Sequence, residues 1–260
     1  MEKTNAETAL KNKRILIFQQ RGWGKNIGRF LARKLFDAGC IVAAITSKYS
    51  THKLIIAQKD VRYEFVISHD EILNDPKRFL GDEEITLETI CEDLGVTTIW
   101  PIISASRVLV KSYKDKYYYG FKKNVSDEFL INYIKATYKC VRDIFKKFTP
   151  EVILAPNFAS GHHIIFYYYA KKNSVPMITV SDTKVNGLYF FSLSFNDDEG
   201  LFFEYLDALE KNKIENINRK KAAEVIRSFR EKFQAPDYAK KAGQQKTIWQ
   251  RTKEKLAPLK

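Results

Sequence analysis

Residues 13–46, KRILIFQQRGWGKNIGRFLARKLFDAGCIVAAIT, decide the fold class. A mainly apolar run over 14–19 leads into a glycine-containing turn. A stretch with helical spacing over 26–39 follows, and then a second apolar run over 40–46. Apolar runs without polar alternation are typical of strands in a sheet covered on both faces. Strand, helix and strand in this order predict a parallel βαβ unit.

The same alternation continues toward residue 182. It predicts further strands at 63–68, 96–100, 151–157 and 175–182, and further helices at 86–95, 126–148 and 162–173. We therefore expect an α/β fold over residues 1–210: a Rossmann-like, doubly wound, mostly parallel sheet with helices on both faces. Apolar stripes at helical spacing over 222–233 and 238–256 predict a helical connector over residues 211–260.

Charge is concentrated in that connector. The 260 residues carry a net charge of +13, and residues 211–260 hold 15 Lys/Arg against 5 Asp/Glu, a net of +10. No recognisable nucleic-acid motif accompanies this charge, so we do not expect a nucleic-acid partner. The N-terminus shows no secretory signal, and three widely spaced cysteines fit no disulfide or metal pattern. A cytoplasmic location is the expectation.

The glycines of the first turn suggest a phosphate-binding loop, but their spacing does not fit one. A P-loop needs Ser or Thr after its lysine, where this chain has Asn26, and a glycine at the position of Gln19. A dinucleotide site needs GxGxxG and an acidic residue ending the second strand. The spacing of Gly22, Gly24 and Gly28 is GxGxxxG, and the second strand ends TSKYS. We expect no cofactor.

The position of the turn is more informative than its motif, because open α/β sheets bind ligands at the carboxyl ends of their strands. Helix N-terminal N–H groups at this edge favour an anionic or polyhydroxylated ligand. Gly22, Trp23, Gly24, Lys25 and Asn26 are therefore candidate ligand-binding residues. The alternative is that the first two glycines only permit a tight turn and that the third glycine, further along, only lets the helix pack on the sheet.

A second polar segment, APNFASGHH at 155–163, follows another predicted strand. Asn157 and Ser160 are candidate ligand-binding residues, and His162 or His163 is a candidate general base, because an ordinary histidine titrates near neutral pH. Alternatively, the serine caps a helix and one histidine satisfies a buried carbonyl. Adjacent histidines are poorly spaced for shared zinc ligation, so no metal site is predicted.

A third polar segment, SDTKVNG at 181–187, follows the last predicted strand. Asp182, Thr183 and Lys184 would reach the same edge of the sheet and are further candidate ligand-binding residues. A capped turn explains the same residues equally well.

Residues 13–46 and the segment FTPEVILAPNFASGHHIIFYYYAKKNSVPMITVSDTK (148–184) together resemble the N-terminal half of GT-B glycosyltransferases. The likeness is to capsule and surface-polysaccharide biosynthesis proteins. One part of the likeness is the order of strand, glycine turn and helix in residues 13–46. The other part is a later Pro-x-hydrophobic strand, followed by a helix that runs through Ala, Lys and Pro into another strand. The likeness covers roughly residues 11–210.

The resemblance implies an acceptor domain that takes part in sugar transfer from a nucleotide-sugar donor. In such a domain the candidate ligand-binding residues of the three polar segments would be acceptor-binding residues, and His162 or His163 would be the base. The family's donor domain carries a Glu-x7-Glu motif, and Glu224 and Glu231 are one residue too close to match it. The donor would then be bound by a missing domain or a partner subunit, and the acceptor would be a glycan or a lipid-linked glycan. A non-catalytic Rossmann-like binding or partner module and a sugar-nucleotide epimerase-like half remain alternatives.

The basic tail permits one more expectation. A basic amphipathic helix over residues 219–233 would rest peripherally on anionic lipid at the inner membrane face. A solvated connector face is the alternative.

Overall fold

The computed structural model of this protein describes residues 9–105, 125–158, 160–183, 185, 187–211 and 213–232. The predicted helix at 238–256 and residue Lys184 lie outside these residues, as do the side chains of Arg21 and Asp182. The chain divides into two compact units. One comprises Met1–Ser181 and Phe191–Phe203, and the other comprises Asp182–Phe190 and Glu204–Lys260.

A six-stranded sheet organises the chain. Its strands are β1 Arg14–Gln19, β2 Ile41–Thr46, β3 Tyr63–Ser68, β4 Val152–Ala155, β5 Met177–Asp182 and β6 Tyr189–Ser192. Their spatial order is β3-β2-β1-β4-β5-β6, and β1 with β2, β2 with β3, β1 with β4, and β4 with β5 all pair in parallel. The predicted α/β, Rossmann-like, mostly parallel sheet is confirmed.

Helices cover both faces of this sheet. The helices of the described residues are α1 Arg21–Lys25, α2 Ile27–Asp37, α3 Tyr49–Ile56, α4 His69–Asn74, α5 Pro76–Leu80, α6 Leu87–Leu94, α7 Trp100–Ala105, α8 Asp127–Phe148, α9 Gly161–Lys172, α10 Leu201–Glu210 and α11 Arg219–Glu231, and those that cover the sheet belong to the first compact unit. None of the described helices has the length and apolar character needed to cross a membrane.

Alternate residues of β1 enter two separate cores, because successive strand side chains point to opposite faces. Leu16 and Phe18 join the larger core, with buried side chains from α4 to α9. Ile15 and Ile17 join the smaller core, to which α2 and α3 contribute Ala32 and Ile55. The central strand is therefore buried on both sides, as its unbroken apolar run predicts.

The predicted strand at 96–100 is wrong. Residues 96–99 form no strand, and α7 begins at Trp100. Pro101 favours this result, since proline suits the first turn of a helix and cannot donate to a sheet. Ile99, Ile102 and Ile103 follow helical spacing and are all buried in the larger core. The prediction also missed β6 and the short helices α3, α4 and α5.

Helix α2 buries small residues and exposes large ones. Gly28 and Ala32 are its buried residues, whereas Ile27 and Phe30 are 58% and 62% exposed. Of the apolar stripe predicted for this helix, Leu31 and Leu35 are the residues that pack against the core. The helix lies so close to the sheet at its small residues that large side chains are turned outward.

The core role of α7 can be tested by truncating one of its side chains. Ile102 is 1% exposed, so Ile102→Ala should lower the free energy of unfolding by about 2–5 kcal/mol in urea denaturation. Ile56→Ala is the matched control, because Ile56 is 58% exposed and its truncation should cost less than about 0.5 kcal/mol. Equal losses would contradict the packing described for α7.

Candidate functional site

The candidate site lies at the carboxyl edge of the sheet, between β1 and β4. In the strand order, β2 lies next to β1 toward one end of the sheet, and β5 lies next to β4 toward the other end. The connections after β1 and β4 therefore diverge, and this is the switch point at which open α/β sheets form a ligand crevice. At this point of the sheet edge, called the crevice below, Gln20 Nε2 donates a 3.1 Å hydrogen bond to Asn157 Oδ1. The first two predicted polar segments thus meet.

The glycine segment is helical, which corrects the tight turn predicted for it. Gly22 and Gly24 lie inside α1, and none of the three glycines in the segment has the left-handed backbone that glycine alone adopts readily. The chain changes direction at Asn26, between α1 and α2, with φ −122° and ψ −90°. Asn26 Nδ2 donates to Gly22 O at 3.0 Å and ties this junction together.

Close packing explains two of the glycines. A Cβ on Gly28 would lie 2.1 Å from Gln19 Oε1 and 2.7 Å from Trp23 Nε1, and one on Gly24 would lie 2.9 Å from the Gln19 carbonyl carbon. A Cβ on Gly22 would meet nothing within 4 Å. The predicted close packing of the helix at Gly28 is confirmed, and Gly24 shares this role.

Buried Gln19, the last residue of β1, fixes the start of α2. Its Nε2 donates a 2.8 Å hydrogen bond to Gly28 O, and its Oε1 has no partner among the described residues. The half-buried Trp23 indole N–H, near the same point, also lacks a described partner. These contacts hold Lys25 and Asn26 on the exposed side of the junction, and Asn157 is exposed as well.

Three histidine rings stack beside the crevice. His69, at the start of α4, lies 4.0 Å from His162 between ring centroids, and His162 lies 4.2 Å from His163. All three side chains are buried, with Phe18 of β1 packed against His163 at 4.7 Å. Ser160 Oγ lies 2.9 Å from Nδ1 of both His162 and His163. The half-buried serine therefore connects two rings of the stack to the segment between β4 and α9.

Hydroxyl groups from other elements complete this cluster. Ser47 Oγ lies 3.3 Å from His162 Nε2, and Tyr133 OH and Thr137 Oγ1 each lie 3.4 Å from His69 Nε2. Ser160 holds the N-cap position of α9, but its side chain makes no capping hydrogen bond and contacts the histidines instead. These contacts are to neutral groups, so nothing in the cluster offsets a positive charge on an imidazole ring.

Burial lowers the pKa of His69 and of His163 to about 3. It also lowers the pKa of His162 well below its usual value, and repulsion from the other two rings adds to this effect. All three imidazoles are therefore neutral at pH 7. A neutral ring can accept a proton, but one with so low a pKa is a weak base, and the assignment of His162 or His163 as the catalytic base stays a prediction.

The third polar segment lies one strand away, after β5. Thr183 Oγ1 donates to Leu188 O at 2.8 Å and accepts from the Val185 N–H at 3.2 Å. These hydrogen bonds fit the capped turn that the sequence offered as an alternative. Asp182 is the last residue of β5, and β4 separates that strand from β1.

Sequence reasoning missed Gln20, Ser47 and His69 as members of this site. Each of them follows the end of a correctly predicted strand by one residue. Position directly after a strand is the signal that all three share, but the predicted site residues lie only in the three polar segments that follow β1, β4 and β5.

Among the described residues, no group of three or more His, Cys, Asp or Glu side chains is arranged to hold a metal ion. Comparison of the chain with protein-family models gives no match, and comparison with curated proteins gives none either. The fold and the site geometry therefore carry the functional argument.

The steric role of the glycines predicts unequal effects of alanine. Gly28→Ala should lower the free energy of unfolding by more than about 2 kcal/mol, because the new Cβ would displace the buried Gln19 amide. Gly22→Ala, the matched control, should be neutral or stabilising by up to about 1 kcal/mol, since alanine favours a helix. Urea denaturation of both variants provides the test, and similar losses would argue against the close approach at Gly28.

The histidine stack predicts loss of stability in mild acid. Below pH 6.5 the unfolded chain binds protons that the folded chain excludes, so the free energy of unfolding should fall by up to about 1.4 kcal/mol per pH unit for each histidine. Urea denaturation between pH 7.5 and pH 5 measures this slope. In His69→Gln the substituted side chain cannot titrate, so the slope should fall by the contribution of one histidine, up to about 1.4 kcal/mol per pH unit. An unchanged slope would contradict the exclusion of protons from His69.

Proposed function

We propose that this chain is the acceptor-side half of a GT-B-like glycosyltransferase in surface (capsular) polysaccharide biosynthesis. The observation that carries the proposal is the Gln20–Asn157 hydrogen bond, which joins the two polar segments at the switch point of a Rossmann-like sheet. A crevice at such a point, walled by elements from two neighbouring strands, is the usual ligand site of this architecture.

The chemistry of the crevice favours a sugar over a dinucleotide. Its exposed groups include the amides of Asn26 and Asn157, which can both donate and accept hydrogen bonds as sugar hydroxyls require. Thr46 and Ser47 stand at the end of β2, where a dinucleotide site would need a carboxylate for the ribose. Lys25 adds one exposed positive charge, which suits a phosphate on a lipid-linked acceptor.

In the proposed reaction an acceptor hydroxyl oxygen attacks the anomeric carbon of a nucleotide sugar, and the nucleoside diphosphate leaves. The hydroxyl proton would pass through Ser160 Oγ to the Nδ1 atom of His162 or His163, both 2.9 Å from that oxygen. A neutral histidine is the form that such a transfer requires. The proton would be accepted only transiently, because burial disfavours the charged ring.

The nucleotide sugar would be bound by a further domain or a partner subunit. Ile27 and Phe30 lie on the exposed side of α2, at its start next to the crevice, and a donor-binding body would cover them. Exposed apolar groups beside a crevice are typical of a surface that another protein body covers. The acceptor would be a glycan or a lipid-linked glycan, taken up in the cytoplasm at the inner face of the membrane.

One observation favours a second candidate, a non-catalytic binding module. His162 and His163 are 6% and 0% exposed, so a bound sugar would reach them only through Ser160. In a binding module the histidine stack would serve solely to support the crevice.

Co-purification from the native host, followed by a nucleotide-sugar transfer assay on the complex, separates the two candidates. Transfer that falls at least about tenfold in Asn157→Ala would support the enzyme, since lost acceptor contacts raise the barrier. Asn173→Ala is the matched control: this exposed asparagine lies at the opposite edge of the sheet, just before β5, and should leave transfer unchanged. Glycan binding without transfer would favour the binding module, and neither activity would refute both.

A further inference from the structure

Helix α11, Arg219–Glu231, exposes every one of its side chains, including its apolar ones. Val225, Ile226 and Phe229 are 38%, 52% and 47% exposed. These side chains lie on one side of the helix, and their exposed apolar area can be covered by a further surface. The charges around the stripe indicate the kind of surface.

The apolar stripe of α11 has cations at both of its borders, whereas the carboxylates of the helix lie away from the stripe, on the same face as Lys220 and Arg227. At about 100° per residue, the apolar stripe centres between Val225 and Ile226 on a helical projection. Lys221 borders the stripe on one side and Arg230 borders it on the other, each about 90° from its centre. Glu224 and Glu231, the two carboxylates of the helix, lie on the face roughly opposite the stripe.

This arrangement matches an anionic bilayer surface. A helix lying in the lipid interface buries its apolar face and extends basic side chains sideways to the headgroups, while acidic groups point to water. Arg219, which adjoins Arg230 on the same border of the stripe, adds a third cation there. Arg219, Lys221 and Arg230 form no ion pair with another described residue, so their charges are available to lipid phosphates.

We propose that α11 is a peripheral membrane-binding helix that takes an anionic phospholipid surface. The inference rests on the residues of α11 alone and stands whether or not the chain transfers sugars. An acidic protein could neutralise the same cations. However, it would gain little from having cations on both borders of a narrow apolar stripe, whereas a flat layer of headgroups contacts both borders at once.

Co-sedimentation of the full chain with lipid vesicles tests the proposal. We expect binding to vesicles of equal parts phosphatidylglycerol and phosphatidylcholine, and at least about tenfold weaker binding to phosphatidylcholine alone. Raised ionic strength should weaken the binding, because headgroup attraction is screened. Ile226→Asn should weaken it about tenfold through loss of apolar insertion.

Two neighbouring lysines provide a matched pair of variants. Lys221→Glu reverses a charge at the border of the stripe and should weaken vesicle binding at least about tenfold, whereas Lys220→Glu makes the same change on the opposite face and should weaken it less than about threefold. The side chains of Lys220, Lys221 and Ile226 are all exposed, so the three variants should keep the folded structure, which circular dichroism can verify. Equal effects of the two lysine variants, no preference for anionic vesicles, or binding to poly-glutamate in place of vesicles would overturn the proposal.

Discussion

The parallel pairing of β1 with both β2 and β4 is the constraint on which the rest of the structure depends. It buries β1 on both faces, so that Leu16 and Ile17 enter different cores from adjacent positions. It also brings the carboxyl ends of the strands to one edge, because parallel strands all run the same way. The contact between Gln20 and Asn157 follows directly, since the elements after two adjacent parallel strands must begin side by side.

Polar residues end the strands at this edge, and burying them is costly unless they find partners. Gln19, Thr46 and Ser68 are paired in register across β1, β2 and β3, and all three are buried. Thr46 Oγ1 donates to Ile67 O, whereas Gln19 Oε1 and Ser68 Oγ have no described partner. Buried polar atoms without partners are rare in proteins and concentrate where function outweighs stability.

The protein separates two kinds of polar surface. At the crevice, amide and hydroxyl groups dominate and the neighbouring histidines are held neutral, which suits the hydroxyl groups of a polyhydroxylated ligand. Along α11, cations border an exposed apolar stripe, which suits an anionic surface. Desolvation governs the first region, because a buried imidazole cannot keep its charge. Exposed charge governs the α11 region, where water solvates each cation until a surface of opposite charge takes the place of that water.

The sequence by itself determined the elements whose signals are local. The apolar runs of β1 and β2, and the Ser126 cap of α8, whose Oγ accepts from the Phe129 N–H at 3.1 Å, needed no information from distant residues. Tertiary structure decided the rest. The β-branched segment before Trp100 forms no strand and leads into a helix, because Ile99, Ile102 and Ile103 pack into the core at helical spacing. The contact between His69 and His162 has no local sequence signal, because the order of the strands in the sheet brings these two distant residues together. Spacing rules could reject a P-loop, but only packing in three dimensions decides which glycine lacks room for a side chain.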